Sequence, residues 1–312
     1  MPIATNIKLI INFIFCLQKG LMQDIIFTTV TFSMMLILFK YFEVFGVNNL
    51  QAIIINYITA GILALVSSQL NGITVSPIQM MSSDYTLPAI IIGVLFIITF
   101  NLLAFSTQKV GIAITTVANK MSMIIPVIVG VYFFNDEKSV LKFAGVFLAI
   151  IAIYFSSTSG GRLSFNKKYI FLIVLVFIGQ GFADSTLSWA EEKKMIGPAE
   201  TQAFFIAIFF SAAIFGAIYL LFEHFIKPHK LKFKNILGGV MLGIPNFFAL
   251  HFFMNALKSN ILESSQIFPI VNMGVIVLTA VSGIILFKQK LSMSNWYGIL
   301  LAIAAIAMIT FS

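Results

Sequence analysis

Apolar residues run along this chain in stretches of about twenty, broken by short polar or charged clusters, and a helix of that length crosses a hydrocarbon core of about 30 Å. The windows between the breaks predict ten spans, near 24–45, 48–68, 87–107, 110–134, 140–158, 168–190, 201–222, 236–257, 261–287 and 294–312. A β-barrel would instead alternate apolar and polar residues over segments of about ten, which excludes it here. The breaks are brief, as at Asp136-Glu137-Lys138, Gly160-Gly161-Arg162 and Glu191-Glu192-Lys193-Lys194, and they leave no room for a soluble catalytic domain. Residues 1–21 form an N-terminal extension. Their apolar run, Ile7 to Leu17, is too short to span and lacks a small-residue cleavage site, so it predicts neither a membrane helix nor a signal peptide. A start at Met22 is the alternative reading.

Composition agrees with a lipid solvent. Sixty per cent of the 312 residues are apolar and 10% charged, against roughly a quarter charged in soluble domains. The net charge of +8 comes from lysines placed singly or in small groups between apolar stretches, a pattern of membrane anchoring that argues against nucleic acid as a partner. Cys16, the single cysteine, permits no internal disulfide and no Cys-rich metal site. No Walker lysine motif, zinc-spaced His/Glu set or Gly-flanked nucleophilic serine occurs, so neither an enzyme nor a metal or cofactor is expected.

The chain repeats itself. A shift of 153 residues lays Val117–Ile153 on Ile270–Ile306 without a gap, with ten of 37 positions identical, among them Asn119/Asn272, Gly130/Gly283 and Gly145/Gly298. A shift of 151 matches Gly46, Gln51 and Ala52 with Gly197, Gln202 and Ala203. Two copies of five spans follow, 22–158 and 168–312, joined by a linker at 159–167. Because five is odd, the second copy enters the membrane in the opposite sense. The expected fold is therefore an all-α membrane protein of ten helices in two inverted five-helix repeats, a plan on which secondary transporters build a midplane site that opens alternately to either side.

Particular segments resemble the EamA branch of the drug/metabolite transporter superfamily. They are the turn Phe134-Asn135-Asp136-Glu137-Lys138 before a span containing Gly145, its partner Phe287-Lys288-Gln289-Lys290-Leu291-Ser292, and the following Asn295-Trp296-Tyr297-Gly298. Thr107–Gly111, Ala118–Ser122 and Pro269–Gly274 look like its Bacteroidetes-type ten-helix members. Gln289 departs from the glutamate usual in the second turn, so the resemblance implies no charge-based role shared by both turns. What it does imply is a monomeric or homodimeric inner (plasma) membrane transporter of small solutes, driven by a proton, another ion or the solute's own gradient. It also implies a cytoplasmic N-terminus. The loop lysines and arginines, seven on that side against eleven on the other, favour the reverse.

Ionisable residues inside spans cost at least about 2.5–3.5 kcal/mol at the bilayer centre and normally face a bundle interior. Lys120 lies mid-span beside Asn119, with Thr116 one turn earlier on its face. It would meet a substrate carboxylate or phosphate, or else pair with Asp184 or pack between helices. Asp184, in register with Gln180 and Ser188, is the candidate carrier of a coupling proton; the alternative is that Lys120 holds it ionised. His251, one turn before Asn255, is a proton shuttle or a hydrogen-bonded packing residue. Asn119, Lys120, Asp184, His251 and Asn272 are expected to line one central cavity, with Thr116 and Asn255 beside them. The leading function is transport of a small polar metabolite, an amino acid or related carboxylate. The alternatives are a lipophilic cation or a sugar carried on the same fold or, from a different class, a membrane-embedded enzyme or an assembly factor.

Overall fold

The structure, a computed structural model, describes residues 2–76, 82–129, 132, 139–159, 162–163, 165–192, 200–226, 230–259 and 264–310. These are almost entirely helical: α1 Pro2–Phe45, α2 Asn49–Leu70, α3 Thr86–Lys109, α4 Ile112–Met121, α5 Ile124–Val129, α6 Val140–Ser157, α7 Ile170–Glu192, α8 Thr201–Ile226, α9 Phe233–Lys258, α10 Ser264–Phe287 and α11 Met293–Thr310. Among the described residues nine helical stretches are long and apolar enough to cross a membrane, with α4 and α5 together making one of them. A tenth, Met293–Ile309, is apolar but shorter. Large apolar side chains such as Phe147, Phe171, Phe222 and Ile285 stand exposed on the outside, where a soluble protein would be charged.

One of the sequence expectations changes. The extension is helical and continuous with the first span, because once a helix is nucleated each further residue costs little, and no proline interrupts this one between Pro2 and Phe45. The window 110–134 is interrupted beside Pro126, as a proline inside a span, which frees a carbonyl and bends the helix, leads one to expect. Pro126 has no N–H to give the Ser122 carbonyl, which instead takes Ile125 N at 2.9 Å, and the Ser122 hydroxyl bonds the Asn119 carbonyl. The result is a break at Ser122-Met123 between α4 and α5. A second sharp turn separates α3 from α4 at Gly111, whose φ of +119° is open to glycine and costly for any other residue.

Local chemistry sets the other ends. Asn48 caps α2 by accepting Gln51 N, and Ser139 caps α6 by accepting Leu141 N. Thr158–Ser159 and Arg162–Leu163 pair as a two-residue antiparallel hairpin in the linker from α6 to α7. Asn295 holds that linker. Its amide donates to Ser156 O at 2.6 Å and to Thr158 O at 3.1 Å, while its Oδ1 accepts from Ser292 N and Oγ. Asn295→Ala takes a buried donor from Ser156 O in the last turn of α6 and from Thr158 O just beyond it, so we expect a loss of about 1–3 kcal/mol, read as a clear fall in melting temperature. An unchanged melting temperature would remove Asn295 from the account.

The apolar core has two main parts. One gathers residues of α1, α2, α3, α8, α9 and α10 around Phe39, Ile53, Tyr57 and Leu242. The other joins α4, α6, α10 and α11 through small residues, Ala149, Ala152, Ala302 and Ala305. Helix α10 serves both, Val271 and Val275 in the first, Ile276 and Ala280 in the second. At the end of the bundle where α1 meets α2, Glu43 accepts from Lys40 at 2.6 Å and Lys109 at 3.1 Å, and the Gln108 amide reaches Asn49 and the Phe39 carbonyl. Lys40, Glu43 and Lys109 thus tie α1 and α3 together.

Candidate functional site

Asn119, Lys120 and Asp184 lie where α4 packs against both α1 and α7. Asn119, buried on α4, donates to the side-chain Oε1 of Gln180 at 3.2 Å, and the side-chain amide of Gln180 donates to Asp184 Oδ1 at 2.8 Å. Ser188, one turn further along α7, returns its hydroxyl to the Asp184 carbonyl. This chain of donors runs one way and ends on a carboxylate. Lys120, next to Asn119, lies with its Nζ 4.7 Å from the centre of the Phe32 ring of α1, a cation–π contact. Lys120 and Asp184 act on each other electrostatically, yet no nitrogen–oxygen approach within 4.0 Å joins them. Two groups of opposite charge therefore sit half-buried and unbridged within helical stretches long enough to cross a bilayer.

The other expected residues lie elsewhere. Thr116 is fully buried and spends its hydroxyl on Ile112 O of its own helix at 2.9 Å. Asn272 is half-buried on α10, between Val271 of one core cluster and Met273 of the other, and makes no hydrogen bond among the described residues. His251 and Asn255 share a 3.4 Å contact one turn apart on α9 and line a cavity of about 450 Å³. Its wall is built from the end of α2 (Ala64, Ser67, Asn71), the start of α8 (Thr201, Gln202, Phe205, Phe209) and the last turns of α9 (Phe247, Leu250, Met254), closed by Ile73. None of Thr116, Asn119, Lys120, Asp184 or Asn272 belongs to that wall, so the residues expected around one central cavity are divided between the middle of the bundle and one end. The physical reason is packing: α9 lies chiefly against α2 and α1, whereas α4 and α7 pack on each other.

Comparison with known proteins adds the fold and little chemistry. No protein-family model matches the chain. It is similar to an uncharacterized protein of Haemophilus influenzae, 27% identical over 260 residues that cover 82% of this chain and 86% of the relative. A crystal structure of a protein superposes on it with a TM-score of 0.58, covering 91% of this chain and 98% of that one at 13% identity. That likeness is one of fold alone.

Sequence reasoning picked out Gln180 only as a neighbour of Asp184, and it missed Phe32 and the contact between Asn56 and Asn246. Asn246 donates to Asn56 Oδ1 at 3.1 Å, both in the bundle interior, and joins α9 to α2. The run Thr28, Thr29, Thr31 and Ser33 marks the stretch of α1 around Phe32, since four hydroxyls in mid-span are unusual in lipid. Three of them bond carbonyls of the preceding turn.

Proposed function

We propose that this chain is a secondary membrane transporter of the drug/metabolite type, moving a small polar metabolite, with an amino acid or related carboxylate as the leading class. The observation that carries the reading is the pair of opposite charges, Lys120 and Asp184, held apart in mid-span by partners of their own. Burying a charge in lipid is tolerated where it serves a pathway. A zwitterion bridging the gap would meet an ammonium on one side and a carboxylate on the other.

The resemblance to EamA proteins and the repeat in the sequence point to two inverted copies, 22–158 and 168–312, in the inner membrane. Reciprocal packing supports them. A rotation that exchanges the copies also exchanges α1 with α7, α2 with α8, α3 with α9, α4 and α5 with α10, and α6 with α11. Under it the pair α1–α9 becomes α7–α3, α2–α9 becomes α8–α3, and α1–α10 becomes α7 against α4 and α5; both members of each pair are in contact. The pairs α2–α8, α4–α10 and α6–α11 map onto themselves and are in contact too. Close approaches repeat in the same way. A Cβ at Gly93 of α3 would lie 2.9 Å from Ile208 O and 2.6 Å from Ser211 Cβ on α8, and one at Gly243 of α9 would lie 2.7 Å from Asn56 O and 2.6 Å from Thr59 Cβ on α2. Alternating access follows as the mechanism, with the copies rocking about contacts that look alike from either side.

A panel of amino acids, carboxylates, sugars and lipophilic cations tested for thermal stabilisation of the purified protein checks the substrate class. A ligand at a hundred times its Kd adds about 2.7 kcal/mol of apparent stability. Amino acids or carboxylates should raise the melting temperature and undergo counterflow in proteoliposomes. Stabilisation by sugars alone would leave the transporter standing and remove the carboxylate, whereas no stabiliser and no counterflow would sink both.

A further inference from the structure

We propose that the end of the bundle where α1 turns into α2 docks on the anionic headgroups of the cytoplasmic leaflet, so that the start of α1, the end of α11 and the cavity lined by His251 lie on the outer side. Contacts gather five connections at that end. Lys109 at the end of α3 meets Glu43 of α1, and Asn235 at the start of α9 accepts from Asn48 N before α2. Gln289, between α10 and α11, lies against Gly111, between α3 and α4. Asn295 of α11 donates to Thr158 O between α6 and α7.

Charge divides unequally between the two ends. Among the described residues this end carries Arg162, Lys167 and Lys168 before α7, Lys230, Lys232 and Lys234 where α9 begins, and Lys288 and Lys290 before α11. Lys40 and Lys109 complete ten, against Glu43, which those two already meet, and Glu223. At the other end Lys8, Lys19, Lys142 and Lys258 are outnumbered by Asp24, Asp84, Glu191, Glu192 and Glu200. Lysines and arginines in short loops set the sense of insertion, and ten against four keeps the first end inside. The acidic residues add the choice of lipid, since an anionic surface attracts the first end and repels the second. Lys167, Lys168, Lys230, Lys232, Lys288 and Lys290 are exposed and reach it freely. Tyr169, 4.9 Å from Lys168 Nζ, and the exposed Trp296 and Tyr297 supply interfacial rings at the same end.

This orientation reverses the one that the EamA resemblance implies. It rests on the proposed inverted repeat in one respect: turning such a chain over exchanges two similar halves and leaves the packing as it is, so loop charge alone decides.

The test expresses the full chain in a bacterial inner membrane with Cys16→Ser, which removes the single cysteine, and with either Ser82→Cys between α2 and α3 or Asn166→Cys between α6 and α7. Spheroplasts are treated with a membrane-impermeant maleimide before and after permeabilisation. Ser82→Cys should be labelled in intact spheroplasts and Asn166→Cys only after permeabilisation. The reverse pattern, or partial labelling of both, would overturn the proposal. Labelling needs no transport, so failure here leaves the transporter reading untouched. Delipidated protein in neutral detergent then reports on the headgroups through its melting temperature. Phosphatidylglycerol should raise it more than phosphatidylcholine does, and the margin should shrink at high salt and in a protein carrying Lys230→Gln, Lys232→Gln, Lys288→Gln and Lys290→Gln. Equal shifts with the two lipids would remove the headgroups from the account.

Discussion

Gly298→Ala is expected to lower the melting temperature more than any other single methyl addition in the second half of the chain. A Cβ at Gly298 of α11 would press on the backbone of α6, against Ser156 N, 2.5 Å from Ser156 Cα and 2.8 Å from Phe155 C. A flexible side chain would turn aside, but backbone cannot, so α6 and α11 must separate or slide. Overpacking of this sort costs about 1–3 kcal/mol and here disturbs the tightest helix pair of the bundle. The repeat mate Gly145 sits on the same interface from the other side, where a Cβ would lie 2.7 Å from Ile309 Cγ1 and 3.1 Å from Ala305 O. Gly145→Ala should therefore be milder, since Ile309 has rotamers to give. Gly20→Ala is the control: nothing lies within 4 Å of its Cβ position, and replacing a helical glycine gains roughly 0.5–1 kcal/mol. Thermal unfolding of the three variants in one detergent ranks them, and a Gly298→Ala protein as stable as the Gly20→Ala one would show that α6 and α11 do not approach as described.

The helices were legible because lipid imposes one strong rule, about 20 apolar residues per crossing, and polar clusters such as Asn48-Asn49 and Lys230-Leu231-Lys232 obey it. Their ends were less so. The break at Ser122-Met123 depends on a proline and on a serine hydroxyl competing for one carbonyl, and hydropathy is blind to both. The apolar run from Ile7 to Leu17 is short when counted alone and helical when it continues into the next span. Asn119, Lys120 and Asp184 stand out in the sequence because charge and amide groups are costly in lipid, and in the structure Gln180 joins Asn119 to Asp184. His251 was grouped with them on residue type, whereas the helices that pack together decide which groups meet, and α9 packs on α2, which puts His251 with Gln202 and Asn255.

Lys120→Met and Asp184→Asn should each abolish transport while shifting stability by amounts that add. The structure gives each residue separate support: Asp184 takes its hydrogen bond from Gln180, which an asparagine oxygen can also accept, and Lys120 lies over Phe32, against which a methionine stem still packs. A tightly paired buried ion behaves differently, since removing one partner leaves an uncompensated charge that costs about 3–5 kcal/mol and removing both restores stability. With no approach within 4.0 Å between the two, the coupling should be well below that of a tightly paired ion, and the double variant should melt near where the single shifts sum and below either single one. Transport should be lost in all three, because a zwitterion needs both charges at once. Lys120→Arg should restore little, as a planar fork places its donors differently from a compact ammonium and would meet Phe32 first. Mutual rescue of stability in the double variant, with transport retained by either single one, would make the pair a structural tie between α4 and α7 and move the search for the substrate to the cavity at the end of the bundle.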